Sequence, residues 1–308
     1  MRKSGRIVDV VGTGFTVLDR IYVDATTPAS EELGGSCGNV LLSLAMLNRT
    51  VTPVLALGQD EVGNRLVGEF EDAGAETKFI RRCTTRRSPI LAQHLDPSSG
   101  NHFFAFRCPN TNEDLPRYQP IELEDVKHAL PALESCSVFY ADRISDAIVD
   151  AMEVAAENGA FIYFEPSDMR DKVLIRRALP FVNVLKFSVD RISEDLIDQT
   201  IPATIVSIVT HGAAGLELKQ GSQSRWFGAF SASVVRDTCG SGDMVSVGVI
   251  DWLLTSGLPH NLRLSLDDLA HGVMSGQRLA AENCAYVGAR GLFRERGKTH
   301  ARYILGTA

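Results

Sequence analysis

From residue 137 onward, short apolar runs alternate with longer stretches whose apolar residues fall at helical spacing. This alternation restricts the chain more than any other feature. Runs at 137–141, 161–165, 182–187 and 204–210 are brief, apolar and bounded by turn residues, which reads as buried strands. Helical patterns at 144–157 and near 171–179 lie between them. Strand–helix–strand order aligns the strands in parallel and covers both faces of the sheet, so a doubly wound α/β core is expected. The same rhythm appears earlier, in strands at 7–11 and 51–57, a helix running to about Asn48, and an amphipathic helix ending near Gly74. No repeat or low-complexity linker interrupts the 308 residues, and a single domain over 1–308 is predicted.

Two regions depart from the rhythm. Residues 17–23 read as strand and place Asp19 within it, where an acid either faces solvent or has a function. Runs at 88–95 and 101–107 flank Asp96-Pro97-Ser98-Ser99-Gly100, a concentration of turn formers, and predict a β-hairpin. With the extended segment 19–33, this hairpin is expected to build a separate small sheet. At least two of Phe103, Phe104 and Phe106 read as its packing face. Arg81, Arg82, Arg86 and Arg87 read as a solvated basic loop.

Two glycine-rich stretches precede helices. Asp237-Thr238-Cys239-Gly240-Ser241-Gly242-Asp243 runs directly into the apolar segment 244–254. A tight turn there leaves the N–H groups of the helix start pointing outward, an arrangement that attracts anions. Asp243 falls in the first turn, where a carboxylate can take a proton from an attacking hydroxyl. An ordinary helix cap accounts for the same residues. Gly34-Gly35-Ser36-Cys37-Gly38-Asn39-Val40 likewise opens a helix, and a flexible helix start is its plain reading.

The later stretch resembles the D-T-x-G-A-G-D signature of the ribokinase-like, or PfkB, carbohydrate kinases, with Ser241 in place of the usual Ala. The earlier one is similar to that family's G-G-x-x-x-N motif, matched by Gly35 and Asn39. Gly58-Gln59-Asp60-Glu61-Val62-Gly63 is similar to its G-x-D-x-x-G, and Thr210-His211-Gly212-Ala213-Ala214-Gly215 to its T-x-G-x-x-G. The resemblance implies a three-layer α/β/α core with a mostly parallel central sheet, and a small β-sheet lid from about 19–33 and 88–107. It also implies ATP-dependent phosphorylation of a sugar or sugar-acid hydroxyl. Asp243 would be the catalytic base, and Gly240, Ser241 and Gly242 the anion hole. Asp19, Gly35 and Asn39 would hold the sugar, and Thr210, Gly212 and Gly215 would border the nucleotide. Magnesium would arrive with ATP, and Asp237 would order the loop or a monovalent cation, with helix capping an equal account. The lid is often a dimer surface in such proteins.

Two positions depart from the family pattern. Glu165-Pro166-Ser167 stands where the family has D-P-N. Lys186-Phe187-Ser188-Val189-Asp190-Arg191 stands for K-x-N-x-x-E, which puts Arg191 where an acid near magnesium is usual. The metal ligands therefore stay unassigned. A nucleoside kinase of the same fold is the second reading, and a degenerate kinase acting as a ligand-binding regulator the third.

Other classes are excluded more simply. A P-loop needs G-x-x-x-x-G-K-[ST], which is missing. A formal charge of −7 argues against a nucleic-acid partner. Six scattered cysteines and seven unclustered histidines suggest neither a zinc site nor a disulfide framework. With no long apolar segment, a cytoplasmic protein is expected.

Overall fold

The computed structural model describes residues 8–24, 27–96, 98–192, 201–257 and 264–306. Its first part holds β1 (Val8–Thr13), β2 (Val17–Tyr22), β3 (Ser30–Gly34), α1 (Ser36–Met46), β4 (Val51–Pro53), β5 (Leu55–Gly58), α2 (Glu61–Asp72), β6 (Ile80–Cys83), β7 (Ile90–Leu95) and β8 (His102–Ala105). Then follow α3 (Leu123–Leu133), β9 (Cys136–Ala141), α4 (Asp146–Glu157), β10 (Phe161–Phe164), α5 (Lys172–Ala178), β11 (Val184–Ser188) and β12 (Val206–Thr210). The chain closes with β13 (Gly215–Gln220), β14 (Gln223–Gly228), α6 (Ser241–Ser256), α7 (Leu266–Asn283) and α8 (Gly291–Gly306).

An eight-stranded sheet runs in the order β14-β13-β12-β11-β10-β9-β1-β4. From β4 to β12 every pairing is parallel, and β13 and β14 add an antiparallel edge. Alternation along the strands divides the core into two apolar layers. Val10, Val138, Tyr140 and Tyr163 pack with residues of α1, α6 and α7. Val11, Phe139, Ile162 and Leu185 pack on the other face with α3 and α4. Each fully buried large side chain contributes roughly 1.5–3 kcal/mol. This is the α/β/α arrangement that the resemblance implies. Its parallel strands end at Thr13, Ala141, Phe164, Ser188 and Thr210, the carboxyl edge where open α/β sheets place their ligands.

The four-stranded sheet β3-β2-β7-β8 stands apart from the central one. Strands β2 and β7 pair in parallel, while β7 and β8 form the hairpin. Phe103 and Phe104 are 62% and 42% exposed, so neither belongs to a buried packing face. Phe103 instead stacks on His94, with ring centroids 4.3 Å apart, and His94 stacks on Tyr22.

Other details differ from expectation. The run at 51–57 is two strands: Val54 donates its N–H to Gly12 O at 2.9 Å, then the chain leaves the central sheet and β5 pairs with β6. Pro53 has no N–H with which to extend the ladder. Arg81, Arg82 and Arg86 are structural. Arg81 pairs with Asp125 and Glu122, Arg82 donates to Gly58 O, and Arg86 donates to Pro120 O. Helices α3 and α8 were not expected. The first contains Pro131, which reads as a breaker but sits near the helix end, and a reciprocal Glu122–Asp125 cap starts it. Helix α8 is interrupted at Gly297, whose φ of 74° is not helical.

Candidate active site

Helix α6 begins at the carboxyl edge, and glycine geometry sets its start. Gly240 adopts φ 74°, and a Cβ there would stand 2.6 Å from Ala289 Cβ and 2.7 Å from its Cα. A side chain would meet both left-handed strain and the backbone of the segment after α7. Ser241 turns its hydroxyl back to Thr238 O at 2.8 Å. The first intrahelical bond is Met244 N–H to Gly240 O at 2.9 Å, which leaves the N–H groups of Gly242 and Asp243 for an anion. The ammonium of Lys186 lies 3.6 Å from where a Cβ of Gly242 would stand.

Asp243 is buried, and Asn39 in the first turn of α1 donates from Nδ2 to its Oδ2 at 2.7 Å. Burial, then the nearby Glu165 carboxylate, push the Asp243 carboxyl above its ordinary value, while the Asn39 hydrogen bond and the charges of Lys186 and Arg191 pull it back. A carboxylate so balanced is suited to accept a proton. Glu165 accepts from Lys186, from Ser246 Oγ at 2.6 Å and from Tyr140 Oη at 3.1 Å. Its charge is thereby compensated beneath the helix start.

Asp19 lies close by. Its carboxyl is 3% exposed, and Oδ1 is buried without a hydrogen-bond partner. Burial, then Glu32, raise its pKa to about 8 against the opposing pull of Arg290. A Cβ at Gly34 would fall 1.8 Å from Asp19 Oδ2 and displace that carboxyl, and Gly35, at φ 79°, has Phe15 O 2.3 Å from its own Cβ position. Asp19, Gly35, Asn39 and Asp243 are thus brought together, as are Gly240, Ser241 and Gly242. Thr210, Gly212 and Gly215 form a separate group at the end of β12. Thr210 donates to Phe187 O at 3.3 Å, and Gly212 and Gly215 have φ of 56° and 128°.

Among the described residues, no group of three or more His, Cys, Asp or Glu could hold a metal ion. Arg191, a cation, occupies the position where an acid was expected and lies near enough to Asp243 to favour its charged form. The described residues therefore offer no all-protein cage for magnesium. No described helix is long and apolar enough to cross a membrane.

Residues 25–294 match the model of the pfkB family of carbohydrate kinases. The chain belongs to the pfkB family. It is 27% identical over 282 residues to the bifunctional protein HldE of Alkalilimnicola ehrlichii, covering 84% of this chain and 56% of that protein. It is 29% identical over 141 residues to the probable fructokinase-4 of Arabidopsis thaliana, covering 44% and 41%. It therefore spans about half the length of these curated relatives. Among solved structures, the fold is shared with a ribokinase from Giardia lamblia (TM-score 0.74, 14% identity, 97% of this chain and 98% of that one). A fructokinase with bound ATP from Xylella fastidiosa is similar too (TM-score 0.73, 17% identity, 98% of each chain).

In this pfkB chain, three buried polar residues at the site were not singled out from the sequence. Arg290 is 5% exposed and donates to Asn39 Oδ1 and Leu33 O. Asp142, at the end of β9, accepts from Phe15 N–H at 2.7 Å and Cys37 N–H at 3.2 Å. Burial pushes its pKa up to about 6 against the pull of Arg143. Lys186 was quoted only as part of a degraded motif. Strand-end position was the available signal for Asp142, and the likeness to K-x-N-x-x-E for Lys186; none marked Arg290.

Proposed function

We propose that this protein transfers the γ-phosphoryl group of ATP to a hydroxyl of a sugar or sugar acid, with Asp243 as the base. The observation that carries this is the Asn39–Asp243 hydrogen bond, which joins the two glycine-rich helix starts at one point of the carboxyl edge. The acceptor hydroxyl gives its proton to Asp243 as its oxygen attacks the γ-phosphorus. The bond from that phosphorus to the β–γ bridging oxygen breaks, and ADP leaves. Negative charge on the transferring group falls against the N–H groups of the Gly240–Gly242 loop and the Lys186 ammonium. Magnesium bound to ATP would neutralise phosphate charge as the nucleotide enters. Thr210, Gly212 and Gly215 would border the nucleotide, and Asp19, Gly35 and Asn39 would hold the acceptor.

The four-stranded sheet would serve as a lid that excludes water. Its turn already reaches the signature loop, since Thr238 N–H donates to Gly100 O at 3.3 Å. The names of the plant relatives make fructose the first sugar to test. A nucleoside acceptor is the second reading. The Phe15 ring, next to Gly35, meets Phe106 edge-on at 6.4 Å and Tyr118 at 5.8 Å and carries the Arg143 guanidinium 4.4 Å over one face, so a base can stack only on the other.

The test is ADP release with magnesium-ATP across sugars, sugar acids and nucleosides, with Asp243→Asn alongside. A substrate whose turnover disappears in the variant supports the reading. A variant that keeps most of its activity would exclude Asp243 as base. Native protein that binds ATP or a sugar without turnover would favour a ligand-binding regulator.

A further inference from the structure

The Asp237 carboxylate is fully buried, and both its oxygens are already supplied with donors. Oδ1 accepts from Cys239 N–H at 2.8 Å and faces His102 Nδ1 at 3.5 Å. Oδ2 accepts from Gly288 N–H at 2.9 Å and from Gln93 Nε2 at 3.2 Å. A carboxylate has about four lone-pair sites; three N–H groups fill most of them, and His102 Nδ1, which also lies 3.5 Å from Thr238 Oγ1, takes the fourth when protonated.

Neighbouring carbonyls are engaged as well. Cys284 O accepts from Arg236 N–H at 2.8 Å and Asp237 N–H at 3.3 Å. Gly288 O and Ala289 O accept from Asn283 Nδ2 at 3.4 and 3.1 Å. A hard cation needs a shell of free oxygens, whereas here N–H groups point their positive ends at the same oxygens. Gln93 Oε1 is buried without a donor, but a single neutral oxygen makes no shell. The residues around Asp237 do not fit a monovalent cation.

We infer that protein donors take the place of a monovalent cation at Asp237, with His102 the decisive one, and that His102 is a positioning residue for the loop opening helix α6. His102 belongs to β8 of the four-stranded sheet, so the contact joins that sheet to the loop three residues before Gly240. Thr238 reinforces the same junction through its N–H and its hydroxyl, both directed at Gly100 O. Seating the hairpin therefore sets the geometry of the anion-binding turn. This assignment rests on the kinase reading for its effect on turnover, but not for its effect on ion binding.

The experiment compares potassium, sodium and N-methylglucamine at constant ionic strength, reading both turnover and melting temperature. Native protein is expected to vary by less than about twofold in turnover and to melt alike in all three, since an ion without a site gives no linkage stabilisation. His102→Ala opens Oδ1 and should lose turnover, part of which potassium restores. His102→Gln, which keeps a side-chain N–H, should remain indifferent to the ion. A potassium stimulation of about tenfold in the native protein, or a rise in its melting temperature of more than about 3 °C, would overturn the inference. So would His102→Ala with native turnover in every salt. If the native protein shows no turnover, the kinase reading fails while the melting comparison still decides the ion question. If His102→Ala does not fold, the native response decides.

Discussion

Asn39 and Asp243, 204 positions apart in sequence, meet through a 2.7 Å hydrogen bond between Nδ2 and Oδ2. The amide oxygen of Asn39 accepts from Arg290, so the donor face of the amide is turned to the carboxylate. Asn39 can then orient the base and favour its ionised form at once.

Replacing Asn39 by Ala should therefore move the acid limb of the kcat/KM profile to higher pH. The hydrogen bond stabilises the charged carboxylate, so its loss raises the Asp243 pKa and leaves less base at neutral pH. Turnover at pH 7 is expected to fall about 10- to 100-fold, the equivalent of roughly 1.5–3 kcal/mol for a hydrogen bond to a charged group. An unchanged profile would remove Asn39 from this role.

Asp19 makes stability depend on pH in the opposite sense to an ion-paired carboxylate. Its pKa rises from 3.8 to about 8 on folding, so between those values the folded protein holds a proton that the unfolded chain releases. Stability from this group is complete below about pH 4 and is lost as pH rises through 8. Asp19→Asn should be more stable than the native protein at pH 8, by a few kcal/mol, and equal to it at pH 4. It should also bind the acceptor more weakly. Denaturant titrations at the two pH values check the first point, and KM checks the second.

Two glycines two residues apart in the same loop should behave differently on substitution by Ala. At Gly240 the methyl group meets Ala289 at 2.6 Å and φ is 74°, so both stability and turnover should fall, the strain alone costing about 1–2 kcal/mol. At Gly242 the nearest atom is Lys186 Nζ at 3.6 Å, an ordinary contact. There the fold should survive while phosphate binding and turnover drop. Unfolding midpoints and ATP affinity separate the two cases.

Arg191 is exposed and acts on Asp243 through charge. Arg191→Glu, which installs the acid usual in the family, should raise the Asp243 pKa and shift the acid limb upward. The shift should shrink between low salt and about 0.5 M salt, because exposed charges are screened. A shift that ignores ionic strength would mean that Arg191 acts by direct contact instead.

Much of this architecture was legible beforehand because it is local. Helix α4 spans Asp146–Glu157, close to the 144–157 that its apolar spacing predicts. The turn formers between β7 and β8 mark the hairpin. Misreadings arose where a neighbour outweighed the local signal. Val51–Pro53 and Leu55–Gly58 look like one apolar run, and only their different partners, β1 and β6, separate them. Pro131 and Gly297 masked helices that packing and capping sustain.

The site divides in the same way. Asp19, Gly35, Asn39 and the segment Asp237–Asp243 were singled out as candidates from motif order, since glycine conformation and helix starts are properties of neighbouring residues. Arg290, Asp142 and the partners of Asp237 were decided by the tertiary structure. A guanidinium between Ala289 and Gly291 carries no mark of the carbonyl or amide that will receive it. Gln93 and His102 from the β7–β8 hairpin and Gly288 from the segment after α7 reach one carboxylate, all far from it in sequence. Periodicity and turn chemistry determined the strands, the helices and the glycine turns. Which buried charges face one another depends on chain segments that meet only once the sheet, its helices and the smaller sheet have packed.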